Sequence, residues 1–140
     1  MPSGSTTLAQ FDRTYEETIA LMREARDYFL DSRRDDVPAQ RPALQLVASC
    51  EAMRVTARLT QVLAWLLVQR AVAAGELSPV EAMLEQRRLG GRLVCAVEGP
   101  WQELGLPDVL QSLLSRSLAL YNRVARLDDL AAGLVTPAND

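Results

Sequence analysis

The sequence predicts an all-α protein: an antiparallel three-helix bundle with one long central helix and a short extra helix, assembled as a homodimer. Three observations predict it. Apolar residues recur at three- and four-residue spacing in three separate stretches, and no stretch alternates as a strand would. Between Pro42 and Gly75 lie 32 residues without Gly or Pro. The chain is 140 residues long, 49% hydrophobic and 24% charged, which fits one soluble domain with a single core.

Residues 1–6 read as a flexible N-terminal tail, 7–132 as one helical domain and 133–140 as a short flexible C-terminal tail. The first helix runs from about Thr7 to Leu30. Leu8, Tyr15, Met22 and Phe29 recur every seven residues, a coiled-coil-like seam, while Asp12, Arg13, Glu16, Glu17, Arg23 and Asp27 form a solvated face. Asp31 to Pro42, with Pro38 and Pro42, is a connection. The second helix would span roughly 48 Å at 1.5 Å per residue and end at Gly75, a natural C-terminal cap. Ser78-Pro79-Val80-Glu81 spells a capping box with Pro in the first helical position. It starts a short helix that runs to about Leu89 and stops at Gly90-Gly91. Residues 92–106 carry no clear pattern. The last helix starts near Pro107-Asp108 and ends before Gly133, with Leu106, Leu113, Leu120 and Leu127 at seven-residue intervals flanked by Leu110 and Val124.

Composition narrows the chemistry. Histidine is absent, so this chain holds no Ser-His or Cys-His nucleophile pair, no imidazole base and no His metal ligand. Glu51, Glu81 and Glu85 lack the Glu-x-x-His pattern of helical metal sites. Cys50 and Cys95 are far apart and belong to no CxxC pair. With no signal peptide in view, a reducing cytoplasm is expected. All fifteen basic residues are Arg, yet the net charge is −3, which gives no general pull toward nucleic acid. The turn at Gly75-Glu76, followed by a capped helix and Arg87, Arg88 and Arg92, has only a faint helix-turn-helix look.

The second helix is the informative element. Val62 to Ala74, VLAWLLVQRAVAA, is apolar almost all round but too short and too polar to span a bilayer. A helix apolar on every side is covered on every side. Two neighbours in a bundle leave part of it bare, so a second copy of the chain is expected on the remainder. Arg54, Arg58, Gln61, Trp65 and Gln69 fall on one stripe. The stripe is either the wet edge of the helix or, with Arg70, a partner or dimer interface, since Trp and Arg are enriched at binding hot spots. Gln61, Gln69 and Arg70 are alternatively buried polar contacts that fix register. Arg87, Arg88 and Arg92 are either a solvated helix end or a contact for an acidic partner surface.

The block from Met53 to Leu77 resembles one family. The match lies in Arg58-Leu59, Gln61, Trp65-Leu66-Leu67-Val68-Gln69-Arg70-Ala71-Val72 and Gly75-Glu76. It continues in Gln111-Ser112-Leu113-Leu114, Ser117-Leu118, Tyr121, Arg123-Val124 and Arg126-Leu127-Asp128. These residues resemble the regulator of CtrA degradation (RcdA) family of alphaproteobacteria, over about Tyr15 to Leu130. The resemblance implies a dimeric three-helix bundle without catalytic residues, cofactor or metal. It implies a cytoplasmic adaptor in regulated proteolysis, timed to the cell cycle. The implied partners are the ClpXP protease with a primed response regulator, protein substrates such as transcriptional regulators and, for some cargo, a cyclic-di-GMP-binding effector. Neither nucleic acid nor membrane is among them. It further implies a longer C-terminal extension than the short stretch that follows the last helix here. A helical homodimeric scaffold outside proteolysis, and more remotely a DNA-binding module, are the alternative readings.

Overall fold

The computed structural model describes residues 4–31, 41–97, 99 and 104–135. Three long helices dominate the described residues: α1 (Gly4–Asp31), α2 (Pro42–Ala73) and, after shorter segments, α5 (Asp108–Val135). The short ones are α3 (Pro79–Ala82) and α4 (Arg92–Cys95), with a 3₁₀ turn at Glu85–Arg87 between them. No strand occurs among the described residues. Both ends of the domain differ from expectation. Helix α1 already includes residues 4–6, and α5 continues through Gly133 to Val135. The outer parts of the expected tails (1–3 and 136–140) and most of the expected connection (32–40) lie outside the described residues.

Local signals explain where α2 stops. Gly75 takes a positive φ of 76°, which glycine adopts without a Cβ penalty. Its N–H donates to Val72 O at 3.1 Å, and Glu76 N–H donates to Ala71 O at 2.9 Å. This pair of bonds is a Schellman motif. Next, Ser78 Oγ accepts from Glu81 N–H at 3.1 Å, and Glu81 Oε1 accepts from Ser78 N–H at 3.3 Å. That is the reciprocal capping box. The helix it starts is shorter than expected. Instead of running to Leu89, the chain turns extended at Leu84 and again at Arg88. The carbonyl freed at Glu81 accepts from Leu84 N–H and from the Arg87 guanidinium.

The core lies between the three long helices. Helix α2 contributes Val55, Leu59, Val62, Trp65 and Leu66; α5 contributes Leu110, Leu113, Leu114, Leu120, Tyr121 and Val124. On α1 the fully covered face is Thr14, Thr18, Leu21 and Ala25. Tyr15, Met22 and Phe29 of the heptad set flank it, part-buried. The two buried threonines stay satisfied locally. Thr14 Oγ1 donates to Gln10 O and Thr18 Oγ1 to Thr14 O, the back-bond open to a hydroxyl in a helix.

Surface ion pairs reveal the helix directions. Glu24 receives both arms of Arg116 at 2.6 and 2.7 Å, and Glu17 pairs with Arg123. Residue numbers rise along α1 as they fall along α5, so the two are antiparallel. Asp12 pairs with Arg70, whose guanidinium lies 3.8 Å over the Tyr15 ring, while Phe29 faces Met53 and Thr56. Helices α1 and α2 are therefore antiparallel too. It follows that α2 and α5 run in the same direction, whereas in a strictly alternating bundle the parallel pair would be the first and third long helices. Residues 74–97 make this possible by carrying the chain back along α2.

Candidate functional site

The returning chain forms a strap along α2, and its anchor is Arg58. This side chain has no exposure at all. Its Nε donates to Cys95 O at 2.7 Å, one terminal nitrogen to Leu114 O and Ser117 Oγ at 3.0 and 3.2 Å, and the other to Val97 O at 2.7 Å. A single guanidinium thus ties α2 to the end of α4 and to α5. Arginine suits this role because its planar fork holds several donors in fixed directions. Burial, with the Arg54 charge beside it, pushes its pKa down to about 10, so it remains a cation at neutral pH.

Other side chains grip the backbone of the strap in the same way. Arg54 donates to Val94 O at 2.6 Å, Gln61 Oε1 accepts from Gly90 N–H at 3.1 Å, and Tyr121 donates its hydroxyl to Gly90 O at 2.6 Å. Gly91 sits at φ 74°, and a Cβ there would lie 3.0 Å from Cys95 Sγ. Burial also pushes the Cys95 thiol up, which keeps it protonated and unreactive.

A second cluster closes the far end. Asp128 has no exposed surface. Its Oδ1 accepts from the Trp65 indole N–H at 3.0 Å, and its Oδ2 accepts from Arg88 and Arg92 at 3.0 to 3.2 Å. Both arginines also reach Asp129, which they hold below the usual carboxylate range, Arg92 most strongly. The Phe11 ring meets Trp65 edge-on at 5.7 Å.

These contacts settle where each predicted residue sits. Arg58 and Trp65 form neither a wet edge nor an open interface: Arg58 is enclosed by the strap and α5, and Trp65 is buried with Phe11 of α1 and Asp128 of α5 beside it. Gln69 is also buried, and its Nε2 has no hydrogen-bond partner among the described residues. Arg54 and Gln61 are half-buried against the strap. Arg70 lies on the α1 side with Asp12 and Tyr15. Arg88 and Arg92 meet an acidic surface, but it belongs to the same chain. Arg87 donates to Glu81 O. The helix-turn-helix look fails because α3 is four residues long and offers no recognition helix. Among the described residues no three His, Cys, Asp or Glu side chains are grouped to hold a metal. None of their helices is long and apolar enough to cross a membrane.

With its backbone turned inward, the strap shows apolar side chains outward. Leu93 is 93% exposed, Val94 54% and Val97 42%, with Val80 and Leu84 exposed nearby in sequence. Sequence patterning missed this surface because residues 92–106 have no period of their own.

Residues 4–139 match the family described as "Protein of unknown function (DUF1465)". The chain belongs to this family. A solved structure agrees with it: RcdA from Caulobacter crescentus CB15 is 39% identical, with a TM-score of 0.62. The similarity covers 86% of this chain and 89% of that one. No curated protein matches. This DUF1465 chain is therefore RcdA-like in both sequence and fold. Arg58, Gln61, Tyr121 and Asp128, four of the residues in the sequence resemblance, are among those that hold the strap.

Tyr121 gives the latch a pH signature. Burial, the main cause, raises its pKa to about 12. A raised phenol favours the neutral form in the fold. The stability it contributes is complete below the ordinary value of about 10 and is lost as pH rises through 12. In an alkaline titration followed by tyrosinate absorbance, one of the three tyrosines should ionise late, and Tyr121→Phe should remove that late step. A late step that survives the substitution would assign it to Tyr15 or Tyr28.

Proposed function

We propose that this protein is a non-enzymatic adaptor in regulated proteolysis. It delivers cell-cycle or transcriptional regulators to the ClpXP protease with a primed response regulator, in the cytoplasm and as a pair of identical chains. The observation that carries the reading is the 39% identity to RcdA over most of both chains.

The strap supports the same reading. Holding an arginine away from water costs several kcal/mol before its hydrogen bonds repay it. Here the return is a fixed ridge with Leu93, Val94 and Val97 facing solvent. An adaptor needs such a presentation surface on a rigid frame, because it acts by converting two modest affinities into one delivery event. Protein cargo is the occupant this ridge fits: apolar at its crest, with backbone polar groups already satisfied from within.

A crosslinked pull-down from its native cells is expected to recover the ClpX unfoldase, a response regulator and short-lived transcription factors. Leu93→Asp should keep the melting temperature of the wild type, since the side chain touches almost nothing, and should lose the cargo. Recovery of the protein's own second copy and nothing else would leave a helical scaffold outside proteolysis.

A further inference from the structure

The two aspartates at the far end of the strap are not equivalent. Asp128 has no exposed surface and accepts the Trp65 indole N–H, so it is fixed in place. Asp129 is 59% exposed, and among the described residues its carboxylate is held by the two arginines alone. Arg92 meets it as a fork, Nη1 to Oδ2 at 3.3 Å and Nη2 to Oδ1 at 2.9 Å. Arg88 adds Nη2 to Oδ1 at 3.2 Å. Planar donors that reach both oxygens of one carboxylate make a specific carboxylate site. Its occupant here is the chain's own side chain, and both arginines remain open to solvent, by 36% and 41%. An ion pair so exposed holds itself closed only weakly. Rotation of the Asp129 side chain empties the fork without moving the backbone of α5.

We propose that Asp129 stands in for a partner's carboxylate: an acidic segment of a partner protein displaces it and takes its place on Arg88 and Arg92. The proposal rests on the adaptor reading and deepens it by naming the chemistry of what docks beside the strap. Charge is the first ground. Two guanidinium cations face one fixed anion, Asp128, so a single positive charge is left for the outer position. That matches one carboxylate and falls short of a phosphate near its second ionisation. Donor capacity is the second ground. Arg88 Nη1 and Arg92 Nε have no partner among the described residues. A segment with a second acidic residue finds there the donors that Asp129 leaves idle. Position is the third ground. Leu93 follows Arg92 directly in the chain and is 93% exposed. A segment that mixes acidic and apolar residues meets both the fork and the crest of the ridge.

The test is fluorescence anisotropy with the full chain and a labelled nine-residue peptide made of three Glu-Glu-Leu repeats. A peptide of Gln-Gln-Leu repeats is the neutral control. Asp129→Ala removes the stand-in at an exposed position, keeps the fold and should tighten binding of the acidic peptide by about fivefold, the hold of a good exposed ion pair. Asp108→Ala deletes the same charge from an exposed site at the other end of α5, about 30 Å away at 1.5 Å per residue, and should leave the affinity unchanged. Arg92→Gln in the Asp129→Ala background should lose at least tenfold; because it also touches Asp128, its melting temperature is measured alongside. Equal affinity of wild type and Asp129→Ala overturns the proposal, as does equal tightening by Asp108→Ala or equal binding of the neutral peptide. Absence of saturable binding to either protein overturns it too. Inorganic phosphate that displaces the peptide better than acetate at equal ionic strength would overturn the choice of a carboxylate. None of these outcomes decides the adaptor reading, which stands or falls on recovery of ClpX and cargo in the pull-down.

Discussion

Arg58→Ala should destabilise the protein by about 3–5 kcal/mol, the range for breaking a buried charged network. Cys95 O and Val97 O lose a donor at once, while Leu114 O keeps the Ser117 hydroxyl. Each buried acceptor left without its donor costs about 1–3 kcal/mol. Relief from burying the cation offsets part of that sum. The loss should concentrate in the strap, so proteolysis between residues 88 and 97 should become fast before the bundle melts. Arg58→Met separates the causes. It restores much of the side-chain volume and none of the donors, so a methionine variant as weak as the alanine variant assigns the effect to hydrogen bonding. Urea unfolding within about 0.5 kcal/mol of wild type, the scatter of neutral surface changes, would show that the strap stands without Arg58.

Trp65→Ala should cost a similar amount, about 3–5 kcal/mol for a large aromatic removed from a core. The ring is 2% exposed and meets Phe11 edge-on. Its loss also leaves Asp128 Oδ1 without the indole N–H. Two arginines still hold the other oxygen, so the buried carboxylate stays compensated in part. Trp65→Phe keeps most of the ring and removes the donor. It should cost about 1–3 kcal/mol, the price of one buried hydrogen bond to a charged group. Thermal melts of the three proteins check the order. An alanine variant that melts with the wild type would mean the indole is not part of the core.

Much of the bundle was legible in the sequence because helices announce themselves locally. Leu106, Leu113 and Leu120 of the repeat are all buried, the last two on the inner face of α5. Gly75 and Ser78-Pro79-Val80-Glu81 form the caps their residue types dictate. The strap was not legible, and the reason is physical. Its partners are backbone carbonyls and amides, which every residue has and no pattern marks. The arginine stripe on α2 was visible as a stripe, but its orientation depends on a segment without periodicity. One signal pointed to the site. Asp128 sits on the apolar face defined by Tyr121 and Val124, where a carboxylate must find donors. The first helix showed its heptad, but the centre of its buried face lies on Thr14 and Thr18. Their hydroxyls bond within the helix, so they pass for polar surface residues in a hydropathy reading.

The shared direction of α2 and α5 governs the order in which the molecule can assemble. Helices α1 and α2 are neighbours in the chain and can pair as a hairpin on their own. Arg58, by contrast, meets Leu114 across 56 residues and Trp65 meets Asp128 across 63. Such distant contacts form only after the intervening chain has been ordered, and closing long loops slows folding. On the ribosome the hairpin emerges first, with half of the α2 core face still unpaired until α5 arrives. The polar latches on the strap fall due last, since each needs both the reversed chain and the final helix in place. The ridge that presents Leu93 is thus a readout of completed folding: a chain that has not finished cannot display it.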